Sequence, residues 1–477
     1  MNWKKTVALG LSLLFLCFSA TACQKEKENS ADTDTEEVET EGPISPEQQT
    51  DYTDDAEKLA YIQAFGETFT GMAETDAEHF TFTETDGKLT VTGYTGTASE
   101  VRVPAVIGGN PVVAVGDGAF AQNGVLTKLY LPDSIIAVGE GILTDADALR
   151  ALRTPILGSA DAQFLGYLFG ATKYEDNPVN VPASLAYLEL GGSMKSLPDC
   201  ALFDCNDLIC VTLSDSITTL GNYSMFQCSS LLALNVGGLT SVGEYALGSC
   251  TSLTRLEFGT GLTSIGLGAL EGCMNLRTLV LPFVGASQTE NTYLGYIFGA
   301  VVPDFSAGFY PTYLVEVKLL SPCTSLGDYA FYECDSLLRV ELPTGMTSIG
   351  VRAFSYCTRL ESVKFSDSVT TISENAFFGC RKLQSVTFGA NSALSSIGIN
   401  AFYGCKALTS IALPQSLTAL PASCFADCAS LATVDLGGVT SVGKNAFHNC
   451  LALTSLSVSP NVTFADGNEY AESLLQE

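Results

Sequence analysis

The chain has few basic side chains and almost no imidazole groups. It contains 23 Lys and Arg against 52 Asp and Glu, for a formal net charge of −29, and only two His. A phosphate backbone is bound through a basic footprint, so this balance argues against a nucleic-acid-binding protein. Neither His79 nor His448 stands in a catalytic-triad context, and the carboxylates are scattered without a cluster that would set their pKa values apart. The sequence therefore predicts that the protein is not an enzyme, and it names no catalytic residue.

The N-terminal apolar run is too short for a lasting membrane span. This run, Val7 to Phe18, follows two lysines and precedes small residues, which is typical of a secretory signal peptide at 1–22. Cleavage after Ala22 fits an ordinary A-x-A site, whereas Ala22-Cys23 resembles the lipobox of bacterial lipoproteins. We predict lipidation of Cys23, which would anchor the chain at the extracellular surface of the cell. Secretion as a free protein is the alternative.

Residues 24–58 have little apolar surface. They carry thirteen Asp or Glu against three Lys. Such a segment cannot bury enough apolar surface to offset the loss of chain entropy, and its like charges keep it extended. We predict that residues 23–58 form a disordered acidic stalk that begins at the lipidated cysteine.

What the chain has in abundance is an internal repeat. The last position of an AFxxC pattern steps by 22, 23 or 25 residues, apart from two large gaps. This marker position falls at Asn123, Ala146, Cys205, Cys228, Cys250, Cys273, Cys334, Cys357, Cys380, Cys405, Cys428 and Cys450. Each unit reads roughly LxxVxLPxxVTSIGxxAFxxC, which predicts a strand, a turn, a short strand, a glycine break and a turn of helix. Such a unit cannot bury its apolar face alone, so stacked units must share one core and one parallel sheet.

The copies from Leu326 to Cys450 resemble, nearly letter for letter, the leucine-rich repeats of BspA-like bacterial surface proteins, and the likeness extends over about residues 80–460. The resemblance implies an α/β solenoid, a leucine-rich-repeat arc with a parallel sheet, about twelve repeats, two long insertions and an N-terminal cap. We place the solenoid at 106–460 and a C-terminal cap or tail at 461–477.

The segment before the repeats, 59–105, predicts the N-terminal cap. One amphipathic helix is indicated by the spacing of four apolar residues, Leu59, Ile62, Phe65 and Phe69. Apolar and polar residues then alternate on both sides of Asp86-Gly87, a good hairpin turn. The end of a solenoid needs such a cover because its last core layer would otherwise face water.

The sequence has 16 Cys but no CxxC pair, which argues against a zinc site, and we predict neither a metal nor a cofactor. Most cysteines occupy the marker position. That position also accepts Asn123 and Ala146, as a small buried site does and a disulfide site does not. The alternative is a disulfide among the additional cysteines of the repeat region, which are Cys200, Cys210, Cys323 and Cys424.

The two large gaps hold related insertions, near 155–190 and 282–320. The first contains PILGSADAQFLGYLFGA and the second PFVGASQTENTYLGYIFGA; Pro155 and Pro282 are 127 residues apart, and Gly166 and Gly295 are 129 apart. This likeness indicates that a block of several repeats was duplicated. Two interpretations stay open. The aromatic residues pack on the flank of the solenoid, or the projecting segments ATKYEDNPVN and VVPDFSAGFYPTY form exposed lips for a partner.

The outward positions on and beside the longer strand define a candidate ligand-binding face. Basic residues are frequent there, and the candidates are Lys128, Tyr130, Arg150, Arg153, Arg255, Arg277, Arg339 and Lys364. One interpretation is that these cations lie over the sheet and pair with Glu on adjacent strands. The other is a mildly basic strip that orients an acidic protein or a glycan.

The resemblance implies a cell-surface binding protein or adhesin, which presents a rigid repeat surface to host or bacterial macromolecules. The partner would be a protein or a glycoconjugate. We expect a monomer that meets the membrane only through its lipid anchor. Two alternatives stay open: a surface lipoprotein that captures glycans for nutrient uptake, and a structural component of the envelope.

Overall fold

The computed structural model of the protein describes residues 69–475. The predicted signal peptide, Cys23, the acidic stalk, and the positions Leu59, Ile62 and Phe65 of the predicted helix lie outside these residues. Within 69–475, no helix combines the length and the apolar character needed to cross a bilayer.

Short strands joined by turns make up most of this chain. In chain order they are β1 (Phe80–Thr85), β2 (Lys88–Tyr94), β3 (Glu100–Arg102), β4 (Val106–Ile107), β5 (Asn110–Val115), β6 (Lys128–Tyr130), β7 (Ala137–Val138), β8 (Ala151–Thr154), β9 (Tyr187–Leu190), β10 (Ser196–Leu197), β11 (Cys210–Leu213), β12 (Thr219–Leu220), β13 (Ala233–Leu234), β14 (Ser241–Val242), β15 (Arg255–Glu257), β16 (Ser264–Ile265), β17 (Thr278–Leu281), β18 (Glu316–Leu319), β19 (Ser325–Leu326), β20 (Arg339–Glu341), β21 (Ser348–Ile349), β22 (Ser362–Lys364), β23 (Thr371–Ile372), β24 (Ser385–Thr387), β25 (Ser396–Ile397), β26 (Ser410–Ala412), β27 (Ala419–Leu420), β28 (Thr433–Asp435), β29 (Ser441–Val442), β30 (Ser455–Ser457) and β31 (Thr463–Phe464). The helices are all short: Ala77–His79, Leu165–Phe169, Tyr174–Asp176, Asn177–Asn180, Leu294–Phe298, Pro303–Phe305 and Glu469–Ser473.

Two kinds of parallel sheet run along the repeats. The first long sheet has the strand order β3-β6-β8-β9-β11-β13, the second β15-β17-β18-β20-β22-β24, and the third β26-β28-β30. Two-residue strands form the sheets β10-β12-β14-β16, β19-β21-β23-β25 and β27-β29-β31. Each repeat therefore adds one strand to each kind of sheet, and the predicted solenoid with a parallel sheet is confirmed.

An antiparallel hairpin precedes the repeats. Strands β1 and β2 pair around Asp86-Gly87, whose positive φ values of 52° and 70° suit a tight hairpin turn. Strand β2 then pairs in parallel with β5, and β5 pairs in parallel with β7. The hairpin is thus connected through β5 to β7, the first of the two-residue strands that run along the repeats.

The AFxxC segment is a pair of turns, and the predicted turn of helix in each repeat is wrong. Two residues per repeat have positive φ, for example Asn375 (55°) and Gly379 (71°), followed by Asn400 (56°) and Gly404 (69°). A helix needs consecutive right-handed residues, and each left-handed residue reverses the course of the chain instead. The apolar spacing of three and four residues reflects this double turn.

The aromatic residues of the AF pairs stack along the repeats. The rings lie 5.0–5.9 Å apart, centre to centre, with interplanar angles of 5–10°, in the ladder Phe331, Phe354, Phe377, Phe402, Phe425 and Phe447. These rings belong to a single buried cluster together with the Leu, Val and Ile of the strands. Each repeat therefore completes the core of the one before it.

The marker cysteines link neighbouring repeats through hydrogen bonds. The Cys380 thiol donates to the Phe354 carbonyl at 3.1 Å, and the Cys357 thiol donates to the Phe331 carbonyl at 3.0 Å. Six others do the same at 3.1–3.4 Å: Cys228, Cys250, Cys273, Cys405, Cys428 and Cys450. All fourteen cysteines within the described residues are free. Burial raises the pKa of the marker thiols, so they stay protonated donors.

Both insertions leave the first or second long sheet and return to it. The first runs between β8 and β9, and the second between β17 and β18; each of these strand pairs is parallel and directly adjacent. Each insertion holds a five-residue 3-10 helix that ends at a left-handed glycine, Gly170 (φ 88°) or Gly299 (φ 102°). The helices of both insertions are buried in the main core and bond to the turns on either side, for example Leu143 to Leu168 and Leu165 to Ala201, so the insertions add to the core without interrupting the sheet.

Candidate functional site

Alternate side chains of the long strands face outward and form the surface that we call the strand face. On β15, Arg255 and Glu257 are exposed while Leu256 between them is buried in the core. The same alternation holds on β22, β24, β26 and β28. The strand face is therefore a set of two outward residues per repeat, with strands about 4.8 Å apart.

In the first long sheet two of the predicted cations, Lys128 and Arg153, are engaged within the protein. Lys128 pairs with Glu100, with its Nζ 3.0 Å from a carboxylate oxygen. Arg153 is only 7% exposed, in contrast to the expected outward cation. Its guanidinium lies 2.7 Å from Asp133 and 2.9 Å from Glu189 and also donates to a backbone carbonyl. Burial opposes the charge of Arg153, yet these carboxylates raise its pKa.

Tyr130 lies between two arginines, Arg102 on β3 and Arg153 on β8. The Arg102 and Arg153 guanidinium carbons lie 4.2 and 4.4 Å from the centre of its ring. Cations over both faces of the ring leave little of Tyr130 for a partner. Arg150, in the turn before β8, is exposed and forms no ion pair within residues 69–475. Of the four candidates in this sheet, Arg150 alone is an available cation.

The second long sheet carries cations that are free to meet a partner. Arg255 pairs with Glu257 on its own strand. Arg277, Arg339 and Lys364 are exposed, and none forms an ion pair within the part of the chain that the structure describes. The strand register places Thr278, next to Arg277, three strands away from Ser362, next to Val363 and Lys364. The three cations therefore span about 15 Å of the strand face.

The third long sheet continues the strand face without cations. Its outward residues are Ser410, Ala412, Thr433, Asp435, Ser455 and Ser457. The cations of the strand face thus end at β22.

The second insertion adds a cluster of exposed apolar side chains, which we call the apolar lip. Val301 and Phe305 are each 73% exposed, and the lip also includes Val302, Phe309 and Tyr313. Five large apolar residues exposed on one loop are unusual for a protein that does not bind a partner there. The corresponding part of the first insertion exposes one large apolar residue, Val179, together with polar residues such as Lys173 and Glu175.

Two buried tyrosines hold the loop that carries the apolar lip. The Tyr293 hydroxyl donates to the Ala300 carbonyl at 3.0 Å, and the Tyr310 hydroxyl donates to the Tyr332 carbonyl of the next repeat at 3.1 Å. Burial raises the pKa of Tyr310 well above its ordinary value, so this donor stays protonated. Because these hydrogen bonds already hold the loop, the lip loses little conformational entropy when a partner binds.

Arg277 connects the apolar lip to the strand face. Its guanidinium carbon lies 5.8 Å from the ring centre of Tyr313, within the range of a cation–π contact. Arg277 thus contacts the apolar lip at Tyr313, and we take the lip together with the available cations as the candidate functional site.

Two other features resemble ligand sites: a group of possible metal ligands and an open cleft. Asp76, Glu78 and His79 bring potential metal ligands within 4.8 Å of one another, but the two carboxylates are exposed, as such groups commonly are without a metal. An open cleft of about 300 Å³ lies beside the first insertion and is lined by Asp133, Ile136 and Lys195, among others. That volume is at the lower end of small-ligand pockets.

The repeat sequence matches the family described as the BspA type leucine-rich repeat region, in six copies at residues 180–293, 306–392 and 390–477. These residues make up more than half of the chain. The chain belongs to this family. No curated protein sequence matches it.

Solved structures similar to this BspA-type chain include three bacterial proteins. A leucine-rich repeat protein from Bacteroides ovatus shares 18% identity over 82% of this chain and 99% of its own, with a TM-score of 0.32. A leucine-rich cell-surface protein from Faecalibacterium prausnitzii shares 22% identity over 85% of this chain and 98% of its own, with a TM-score of 0.30. A leucine-rich repeat protein from Eubacterium ventriosum shares 17% identity over 80% of this chain and 90% of its own, with a TM-score of 0.31.

The BspA-type pattern fixes the core and leaves the candidate site outside it. Arg277, Arg339 and Lys364 occupy variable positions of the repeat, and the apolar lip lies in the insertion between two repeats. The sequence singled out these cations and this insertion. It gave no sign that Asp133 and Glu189 hold Arg153, because those partners lie 20 and 36 residues away in the chain.

Proposed function

We propose that this BspA-type chain is a cell-surface binding protein, an adhesin, that attaches to a protein or glycoconjugate of host or bacterial surfaces. The observation that carries the proposal is the apolar lip, which contacts Arg277 through Tyr313, together with the available cations of the strand face. Exposed aromatic anchors flanked by charged groups are the usual composition of a protein-binding hot spot. A partner with apolar side chains or sugar faces, bordered by acidic groups, fits this surface.

The size of the candidate site favours a macromolecular partner. The three available cations are spread over about 15 Å of the sheet, and together with the lip they form a broad and open surface. Small molecules are bound in enclosed clefts instead. Placement at the cell surface is part of the proposal and rests on the family and on the signal-peptide and lipobox patterns at Cys23.

A second candidate function is glycan capture for nutrient uptake. The open cleft beside the first insertion favours it, because its Asp133 and Lys195 could hydrogen-bond sugar hydroxyls. A structural role in the envelope is a third candidate, and it requires no binding surface at all.

Ligand size separates these candidates. The purified chain is tested for binding to immobilised collagen and mucin, and separately to short oligosaccharides. Binding to the immobilised macromolecules alone supports adhesion, and binding to the oligosaccharides alone supports capture. Binding to neither, together with a weakened envelope in a deletion strain, supports the structural role and refutes the adhesin proposal.

Substitutions then locate the binding surface. The triple variant Arg277→Ser, Arg339→Ser and Lys364→Ser, and separately Phe305→Ser, should each weaken binding. Loss of one central anchor costs about 2 kcal/mol, or roughly 30-fold in Kd. Arg255→Ser is the matched control, because Arg255 is paired with Glu257 and should contribute little. Unchanged affinity in both test variants would remove this surface from consideration.

A further inference from the structure

A second row of aromatic rings lies in the turns of the repeats that follow the second insertion. It consists of Tyr332, Tyr356, Phe378 and Tyr403, which come one or two residues after the buried phenylalanines of the ladder. Neighbouring ring centres in this aromatic row are 6.2, 5.4 and 4.9 Å apart. Tyr356 is 38% exposed, and the other three rings are half-buried. The aromatic row therefore presents one ring per repeat to solvent, over about 15 Å.

Two cations run beside the later part of the aromatic row. Arg381 and Lys406 directly follow the marker cysteines of adjacent repeats, and each comes three residues after a ring of the row. The Ala407 amide donates to the Arg381 carbonyl at 3.2 Å, which places the two turns side by side. Both cations are exposed, and neither forms an ion pair within residues 69–475. Their charges are therefore available to a ligand that lies along the row.

A third cation lies at the start of the aromatic row. The Arg352 guanidinium carbon is 5.7 Å from the ring centre of Tyr329, and the Tyr329 ring contacts that of Tyr332 at 5.4 Å. Arg352 is exposed, and so are Arg359 and Lys382 in the neighbouring turns. None of these three cations forms an ion pair in the part of the chain that the structure describes. Positive charge thus accompanies the row along its whole length.

The acids nearest the aromatic row hold its two end rings. Burial and a hydrogen bond to Glu333 raise the pKa of Tyr332 to about 12. At the other end, the Tyr403 hydroxyl and the Asn449 amide donate to Asp427 and hold the pKa of this carboxyl below its ordinary value. The Asn449 nitrogen is 2.8 Å from the carboxylate oxygen. These carboxylates therefore already have donors within the protein.

The first block of repeats has aromatic rings in its turns but no cations beside them. Tyr223 and Tyr245 stack there, with ring centres 5.1 Å apart. The only basic residue of 196–276 is Arg255, which lies on β15. Residues 350–407, in contrast, have five basic residues in turns. Rings in the turns are thus a general feature of this chain, whereas rings accompanied by cations distinguish the aromatic row.

We propose that the aromatic row and its cations form a second binding site, whose ligand is an extended chain of anionic sugars. Aromatic rings pack against the C–H faces of sugar rings, and one ring per repeat suits a polymer with evenly spaced sugar rings. Arginine pairs with carboxylate or sulfate groups through parallel hydrogen bonds. The net charge of −29 repels such a polymer, so these local cations decide where it binds. The site lies in turns and does not depend on the strand face or the apolar lip.

Affinity for defined hexasaccharides tests this proposal. The full chain is titrated calorimetrically with a hyaluronan hexasaccharide, whose acid groups are carboxylates, and with a heparin hexasaccharide, which also carries sulfates. Neutral chitohexaose is the control ligand of equal length. At least one acidic probe should bind about tenfold or more tightly than chitohexaose, and added salt should weaken this binding. The tighter of the two acidic probes shows whether the site prefers carboxylate or sulfate.

Two variants remove parts of the site without disturbing the core. Tyr356→Gly introduces the glycine found at this position of the next two repeats, and glycine suits the φ of 60° there. The double variant Arg381→Ser and Lys406→Ser removes two exposed charges. Each should weaken binding of the acidic probe by about tenfold and leave the urea midpoint nearly unchanged. Tyr245→Gly, at a left-handed position of the first block, is the matched control and should leave the affinity unchanged.

The strand-face variant Arg277→Ser, Arg339→Ser and Lys364→Ser separates this site from the candidate functional site. It removes three cations elsewhere and should leave the affinity for the acidic hexasaccharides unchanged. No binding of either acidic probe, equal binding of chitohexaose, or unchanged affinity in both turn variants would overturn the proposal. Hexaglutamate that binds as tightly as the acidic sugars would also overturn it, in favour of an acidic protein segment.

Discussion

Phe377→Ala tests the idea that each repeat completes the core of its neighbour. The Phe377 ring is fully buried, with ring centres of Phe354 at 5.0 Å and Phe402 at 5.2 Å on its two sides. A third ring, Phe365, approaches edge-on at 5.9 Å. Truncation of a buried Phe costs about 3–5 kcal/mol of unfolding free energy, and we expect the upper half of that range because two repeats lose a stacking partner.

Two matched positions make this estimate testable. Phe447 has one ladder neighbour, Phe425 at 5.9 Å, so its truncation should fall at the lower end, about 3 kcal/mol. Phe378 follows Phe377 in the chain but is only half-buried, and its truncation should cost about 1–2 kcal/mol. Urea unfolding is followed by far-UV circular dichroism, and amide exchange at the mutated repeat shows whether the loss spreads to both neighbours. A cost at Phe377 no larger than that at Phe378 would refute the shared core.

Three further predictions follow from the same structure. Thiols of the unfolded chain ionise near pH 8.5, whereas burial raises the pKa of Cys228 and Cys273 in the folded chain to about 12. The free energy of unfolding should therefore be at its full value below about pH 8.5 and should decline as the pH rises toward 12. Urea midpoints measured across this range test the prediction, and a midpoint that does not change with pH would contradict it. Arg153→Met should lower the free energy of unfolding by about 1–3 kcal/mol because two carboxylates lose their partner. Lys128→Met removes a more exposed ion pair and should cost less than about 1 kcal/mol. Equal urea midpoints for the two variants would contradict the role of the Arg153 network. Cys23→Ala should release the protein from membranes on cell fractionation, and its retention would exclude the lipobox.

The repeat was predictable because its signal is local and periodic. Leu256 and its equivalents return at a fixed spacing, so the strands and the core side chains could be read from the sequence. The turn of helix could not be predicted in the same way, because apolar spacing alone does not distinguish a helix from two turns. The left-handed residues Asn375 and Gly379 decide between them, and such residues are a weaker signal than periodicity.

The candidate site was predictable only in part. The pattern of outward positions led to Arg277, Arg339 and Lys364, which are indeed exposed, and equally to Arg153, which is not. The difference depends on residues brought together by folding, and neither of the partners of Arg153 belongs to the repeat pattern. The sequence also predicted an amphipathic helix that includes Phe69, but the apolar cluster that Phe69 joins is formed by side chains of separate strands.

The most direct test of the recognition surface is hydroxyl-radical footprinting of the chain, free and bound to mucin or to collagen, whichever it binds. We predict protection of the apolar lip at Val301, Phe305 and Phe309 and of the outward residues of β17 to β22, with the third long sheet unchanged. Protection of the outward residues of β26 to β30 with the lip still fully reactive would contradict the account.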